Sequence, residues 1–253
     1  MVINRLKAKS CHSCEGGNPV FFIIPCILLL ISLVGCGAED SMEDQDTTPL
    51  VDPSWFTAMD FPTADGVSWE YVDSEKTYTH TTRVKGTQNL AGETVRILEN
   101  NSDIPVDYTG VLYGFPVRKY MFTKDLDQYK EYAFELWVDV INDSYTEKYI
   151  PERVAWSFPL YEGKEWTVSR PYTEPVFIYT RKVVSANENV SVPAGNFSQV
   201  FVVEEYVLSD AQQNLGLVST YWLAKGVGVI KYQYIDPTSA RIIAFELNNF
   251  TGK

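Results

Sequence analysis

Residues 77–84 alternate. Tyr78, His80, Thr82 and Val84 fall on one face of an extended chain, and Thr77, Thr79, Thr81 and Arg83 on the other. Residues 176–184, 200–208, 217–223, 227–235 and 241–247 are rich in β-branched and aromatic side chains and predict five further strands. Turn chemistry separates them. In Val192-Pro193-Ala194-Gly195-Asn196-Phe197, proline presets φ at the second turn position and glycine supplies a positive φ, which predicts a tight hairpin. Asp236-Pro237-Thr238-Ser239 predicts a turn between the last two strands. Residues 126–140 carry two periods at once. Leu126, Tyr129, Ala133, Leu136 and Val140 recur near helical spacing, whereas Tyr132, Phe134, Leu136 and Val138 alternate; a strand over 130–138 is the preferred reading.

One pattern occurs twice. Phe61-Pro62-Thr63-Ala64-Asp65-Gly66-Val67-Ser68-Trp69 and Phe158-Pro159-Leu160-Tyr161-Glu162-Gly163-Lys164-Glu165-Trp166 share F-P-x-x-[DE]-G-x-x-W. Each copy leads into a strand, Trp69-Glu70-Tyr71-Val72 and Trp166-Thr167-Val168. Leu90-Ala91-Gly92 and Val192-Pro193-Ala194-Gly195 each precede an apolar strand further on. A glycine turn fixes register and the following indole anchors the core. The repeat predicts two similar β-meanders, about 61–157 and 158–250, packed into one sheet system.

The first thirty-five residues follow another rule. Arg5, Lys7 and Lys9 precede a nearly continuous apolar run over 20–34, interrupted by Pro25. Charge, apolar stretch and small residue in that order predict a secretory signal over 1–35, excluded from the fold. The run is shorter than the ~18 apolar residues a membrane span needs. It ends in Leu33-Val34-Gly35-Cys36, which resembles the lipobox of bacterial lipoproteins. That resemblance implies cleavage after Gly35, a diacylglyceryl thioether on Cys36 and acylation of the new amino group, typically with palmitate. Cys11, Cys14 and Cys26 then leave with the leader, and no intrachain disulfide can form. Gly37 follows the anchor in place of the aspartate that retains lipoproteins at the inner membrane in some lineages. The expectation is an outer-membrane lipoprotein facing the periplasm, bound to the membrane through Cys36.

Residues 36–55 form an acidic tether by this reading. Between 37 and 54 stand six carboxylates, two prolines and no cation, too little apolar surface for a core. A coil of that length spans roughly 20–25 Å. Residues 56–253 are expected to form one β-rich domain: mainly β, a curved antiparallel sheet (half-barrel or open barrel) with little helix. Removing Arg5, Lys7, Lys9 and Glu15 from 21 basic and 33 acidic residues leaves 18 and 32, a net charge of about −14. Such a surface offers no footprint for nucleic acid.

F-P-L-x-x-G-x-x-W, V-P-A-G-x-F and Tyr221-Trp222-Leu223-Ala224-Lys225-Gly226-Val227-Gly228-Val229-Ile230-Lys231 together resemble a group of uncharacterised bacterial envelope proteins. The resemblance spans about 61–250 and implies a curved antiparallel sheet, broadly similar to the half-barrel of LolA/LolB-type lipoprotein carriers. It brings no catalytic residues.

The chemistry-bearing residues point away from catalysis. His80 is the single histidine beyond the leader and sits mid-strand, as a half-buried sheet residue does. No cysteine–histidine nucleophile or two-histidine metal site can be built without a second partner. Glu204 and Glu205 are adjacent on a strand, so they face opposite sides and cannot work as one acid/base pair; one faces solvent and the other can sit inside. No enzyme activity, cofactor or metal is expected. Strands apolar on both faces, with Trp69, Trp166 and Trp222 as candidate wall residues, suggest instead a hydrophobic or amphipathic ligand in a cleft. The alternative is a scaffold that docks another envelope protein through an edge strand or an aromatic patch.

Overall fold

The computed structural model describes residues 52–102, 117–138, 143–168, 178–208, 214–235 and 241–252. Cys36 and the turn expected over 236–239 lie outside them. The described residues build one twelve-stranded antiparallel sheet that curls into a nearly closed barrel. No α-helix is present among them, only a 3₁₀ turn at Ala58–Asp60.

The strands fall into two meanders of six. The first is β1 (Ser68–Asp73), β2 (Thr79–Leu90), β3 (Glu93–Ser102), β4 (Val117–Lys124), β5 (Gln128–Val138) and β6 (Asp143–Ser157). The second is β7 (Glu165–Val168), β8 (Ile178–Val192), β9 (Gly195–Leu208), β10 (Asn214–Ala224), β11 (Gly228–Ile235) and β12 (Ile242–Thr251). Within each meander neighbours in sequence are neighbours in the sheet, and β1 pairs with β12 to join the halves. The remaining ends, β6 and β7, are the two edges of the sheet, so their seam would complete the ring.

The twofold sequence pattern has a twofold structural meaning. Gly66 and Gly163 both take positive φ, 85° and 86°, where a side chain is strained. The Gly66 amide donates to the Val84 carbonyl and the Gly163 amide to that of Val183, at 2.9 and 2.8 Å. Val84 and Val183 are fully buried. Trp69 and Trp166 are each the second residue of the strand that follows. Each motif therefore ties the start of one meander to the middle of its second strand.

Segment 128–138 is a strand, as the alternating period indicated. Alternation also assigns the inner face: Tyr71, Val84, Phe122, Phe134, Val203, Leu223, Phe245 and Leu247 are buried. A smaller apolar group, Val95, Met121 and Ala133, lies on the opposite face of β3–β5.

One rim is covered by the chain itself. Phe56 exchanges two backbone hydrogen bonds with Leu160, at 3.0 and 2.7 Å, and both residues are fully buried. Lys124 Nζ donates to the carbonyls of Ala58 and Phe61, at 2.7 and 2.6 Å, and so holds the 3₁₀ turn over the β4–β5 turn. The β8–β9 hairpin shares this rim. Three register shifts between Val183 and Val190 bend it, as bulges do. Its tip then reaches β12, where the Ala194 amide donates to the Leu247 carbonyl at 2.9 Å. That carbonyl lies at the bulge in the β1–β12 ladder. The hairpin turn is Pro193-Ala194, with Gly195 at φ 141°.

Candidate functional site

Inside the barrel, polar groups concentrate at the β6/β7 seam. Arg181 on β8 stands opposite Glu205 on β9 in register, and its Nε donates to Glu205 Oε2 at 2.6 Å. Arg153 on β6 stands opposite Glu131 on β5, with Nη1 3.4 Å from Glu131 Oε2. Each pair belongs to one side of the seam. Polar contacts cross it: Arg181 Nη1 donates to the Ala155 carbonyl at 2.5 Å, and Arg153 Nη2 lies 3.8 Å from Glu205 Oε2. The Arg181 guanidinium also lies 4.5 Å from the centre of the Trp156 ring and 4.6 Å from that of Tyr221. The side chains of Arg181 and Glu205 are 4% and 1% exposed, so each offsets part of the cost of burying the other. This arrangement closes the barrel where the backbone ladder does not.

Glu204 faces the other way and accepts a hydrogen bond from Tyr206, which with burial raises the Tyr206 phenol above its ordinary value. The adjacent glutamates thus split between the two faces. His80 is half-buried on the inner face. Its Nε2 is 2.9 Å from Thr82 Oγ1 and its Nδ1 is 3.4 Å from the Tyr232 hydroxyl, with the ring edge-on to Tyr71 and Phe245. Burial pushes the phenols of Tyr71, Tyr129 and Tyr232 well above their ordinary value.

The three tryptophans singled out in the sequence do not share one cleft. Trp69 is buried, donates from Nε1 to the Val227 carbonyl at 2.6 Å and packs on Phe250. Trp166 is buried 6.2 Å from Trp156, and its Nε1 has no hydrogen-bond partner among the described residues. Trp222 lies on the outer face, because its register partner is Lys231, which in turn faces Glu246; the Lys231 ammonium sits 5.4 Å from the indole.

A different tryptophan lines a cleft. Trp55 and Tyr161 stand at the covered rim with ring centres 5.4 Å apart and planes 37° from parallel. Between them and the bent β8–β9 hairpin lies a half-open cleft of about 440 Å³. Phe201 and Ala186 form its apolar floor, and Ser54, Glu162, Asn187 and Gln199 supply polar groups. Phe201 is fully buried, whereas Tyr161 is 42% exposed and Glu162, Asn187 and Gln199 are exposed.

The local backbone here is irregular on both strands. Asn187 lies between the register shifts of β8, and Gln199, opposite on β9, holds φ 54°. A non-glycine residue in that region costs of order 1 kcal/mol or more, and such strain collects at functional sites. Asp52 fixes the approach to Trp55: its carboxylate accepts from the Ser54 amide and hydroxyl at 2.9 and 2.7 Å, which lowers its pKa. Lys164 donates to the Pro159 carbonyl at 2.8 Å, so this ammonium is engaged beneath the Tyr161 turn.

Neither Trp55 nor the bulged hairpin is marked by a sequence signal. Trp55 falls at the end of the tether as read from composition, and Asn187 and Gln199 look like ordinary hairpin polars. Arg181 was detectable in principle, as a cation inside an apolar strand.

No family model matches the sequence, and no curated protein matches it. Among solved structures, a candidate lipoprotein of Parabacteroides distasonis ATCC 8503 is similar at 12% identity and a TM-score of 0.39, over 78% of this chain and 99% of the other. A candidate exported protein with a YmcC-like fold from Bacteroides fragilis NCTC 9343 is similar at 10% identity and a TM-score of 0.32, over 76% and 99%. Similarity this low carries no inference about function.

Proposed function

We propose that the protein is a non-catalytic lipoprotein of the cell envelope, anchored through Cys36 in the outer membrane and facing the periplasm, that binds an amphipathic ligand in the rim cleft. The observation that supports binding is the convergence of the Trp55–Tyr161 pair, exposed amides and a left-handed Gln199 on one concave site. Its volume, about 440 Å³, falls within the ~300–1,000 Å³ of small-molecule sites. The barrel interior is a weaker candidate for a hydrophobic guest, because aromatic rings and the Arg181–Glu205 network occupy it. Catalysis is not favoured: Glu205 is engaged by Arg181, and His80 is set among aromatic rings.

Native mass spectrometry of the lipidated protein purified from its own envelope tests this reading. The expected result is an adduct that disappears in Trp55→Ala. An adduct indifferent to that change, or none at all, refutes it. The competing account, a docking scaffold, draws on Met59 and Leu126, which are 80% and 74% exposed on segments joined through Lys124. Crosslinking in intact cells that recovers one dominant partner, lost in Met59→Ser/Leu126→Ser, would favour it.

A further inference from the structure

We infer that the occupant of the rim cleft is a neutral carbohydrate, a pyranose unit or short oligosaccharide laid against Trp55 and Tyr161. This rests on the binding reading above and adds the class of ligand.

The inference follows from what the lining can and cannot recognise. Sugars have an apolar C–H face and a rim of hydroxyls. Each hydroxyl both donates and accepts, so it is best met by groups that do both. The cleft pairs the half-buried Trp55 ring and the exposed Tyr161 ring with the primary amides of Asn187 and Gln199, which donate and accept, and the carboxylate of Glu162, which accepts. The rings stand 5.4 Å apart and 37° from parallel, close enough to pack on each other and hold the pair in place at the cleft.

Competing ligand classes fit less well. An acyl chain would meet polar side chains over half of the lining, and burying those without partners is unfavourable. A phosphate or carboxylate would meet Glu162, with no lysine or arginine in the lining to offset it. Two cations border the cleft and both are engaged by carbonyls: Lys164, with its ammonium 5.9 Å from the Tyr161 ring, donates to Pro159, and Lys225 donates to Pro53 at 2.6 Å. An extended peptide would need a free backbone edge. The cleft is instead walled by side chains from the Trp55 segment, the Tyr161 turn and two strands already paired with each other.

The backbone of the site agrees with a preformed binding surface. Asn187 is displaced from regular pairing by bulges and Gln199 takes a positive φ, two departures on paired strands at residues that both line the cleft. The cleft also borders Ser54, at the C-terminal end of the tether. With a tether reach of roughly 20–25 Å, the sugar can come either from a membrane glycolipid or from a glycan free in the periplasm. The shared chemistry is the pyranose.

The test uses the full lipidated protein in phosphatidylethanolamine/phosphatidylglycerol nanodiscs. It is screened on an array of neutral hexoses, N-acetylhexosamines and deoxyhexoses, and the best glycan is then titrated by calorimetry. A second titration uses nanodiscs that contain a monoglucosyl diacylglycerol, which separates the lipid source from the free one. Saturable binding in either arm is expected. Trp55→Ala should weaken it by about tenfold or more, and Trp55→Phe by less than about threefold, because a ring face persists. Gln199→Ala should also weaken it, with an unchanged circular dichroism spectrum. No saturable binding in either arm, or equal binding by Trp55→Ala, overturns the inference. A Trp55-dependent adduct of another chemistry in the mass spectrum would remove the carbohydrate and leave the cleft as the site. Absence of any Trp55-dependent adduct would remove both.

Discussion

Arg181 is the residue whose loss should cost the fold most per atom removed. In Arg181→Met the aliphatic stem survives while the guanidinium goes. Glu205, 1% exposed, then loses its 2.6 Å donor, with Arg153 3.8 Å from the same oxygen. The Ala155 carbonyl loses its donor across the seam, and the rings of Trp156 and Tyr221 lose their shared cation. Removing one partner of a buried ion pair costs about 3–5 kcal/mol, chiefly for the charge left behind. Arg153 offsets part of this, so a loss of about 3–4 kcal/mol is expected. The double variant Arg181→Met/Glu205→Leu removes both charges and should recover at least about 2 kcal/mol relative to the single change. Equilibrium urea unfolding of the chain from residue 37 onward measures both. With a slope of about 2–3 kcal/mol/M, the single change should lower the midpoint by about 1–2 M. Hydrogen exchange should show β6 and β7 opening before β1 and β12. A single-variant cost below about 1 kcal/mol, or a double variant as unstable as the sum of its parts, would refute the claim that this pair closes the barrel.

Three further outcomes are expected. Cys36→Ala should accumulate as unprocessed precursor that takes up no labelled fatty acid; unchanged acylation would exclude the anchor. Gly195→Val should lose about 1–3 kcal/mol in thermal unfolding, and the cost is backbone strain at φ 141°, because a Cβ there meets no atom within 4 Å. Tyr71, Tyr129 and Tyr232 should stay protonated through the pH range where exposed phenols ionise near 10. Their folded pKa values are raised, so the unfolded chain releases these protons first, and stability should fall as pH rises above about 10. Absorbance at 295 nm during an alkaline titration would reveal three phenols that ionise only with unfolding; early ionisation of all tyrosines would contradict their burial.

The architecture was legible because two signals agreed. Alternation in β2 and β5, and β-branched and aromatic content in β9 and β12, gave strands, and the doubled F-P-x-x-[DE]-G-x-x-W pattern gave two meanders. β4 and β6 carry weaker signals. Val117–Lys124 mixes Arg118, Lys119 and Lys124 into a short apolar stretch, and β6 contains Pro151, which ordinarily argues against a strand. β6 is an edge strand, where a missing amide donor is tolerated. The candidate site was not legible. It depends on a bend of the β8–β9 hairpin and on contact between Trp55 and Tyr161, residues far apart in sequence. Alternation does show that Glu204 and Glu205 part company, but not that Arg181 waits for one of them, since cross-strand partners follow from register.

The joint between the halves has a consequence for when the protein can fold. β1 is the first of the described strands and β12 the last, and Ser68, paired on one side with Arg83 of β2, finds its other neighbour in Thr251. Each meander can pair locally, but the ladder that unites them must close a loop that contains every other described strand, and closing so long a loop is slow. Until that ladder forms, β1 stays unpartnered on one side, so the ring is completed last.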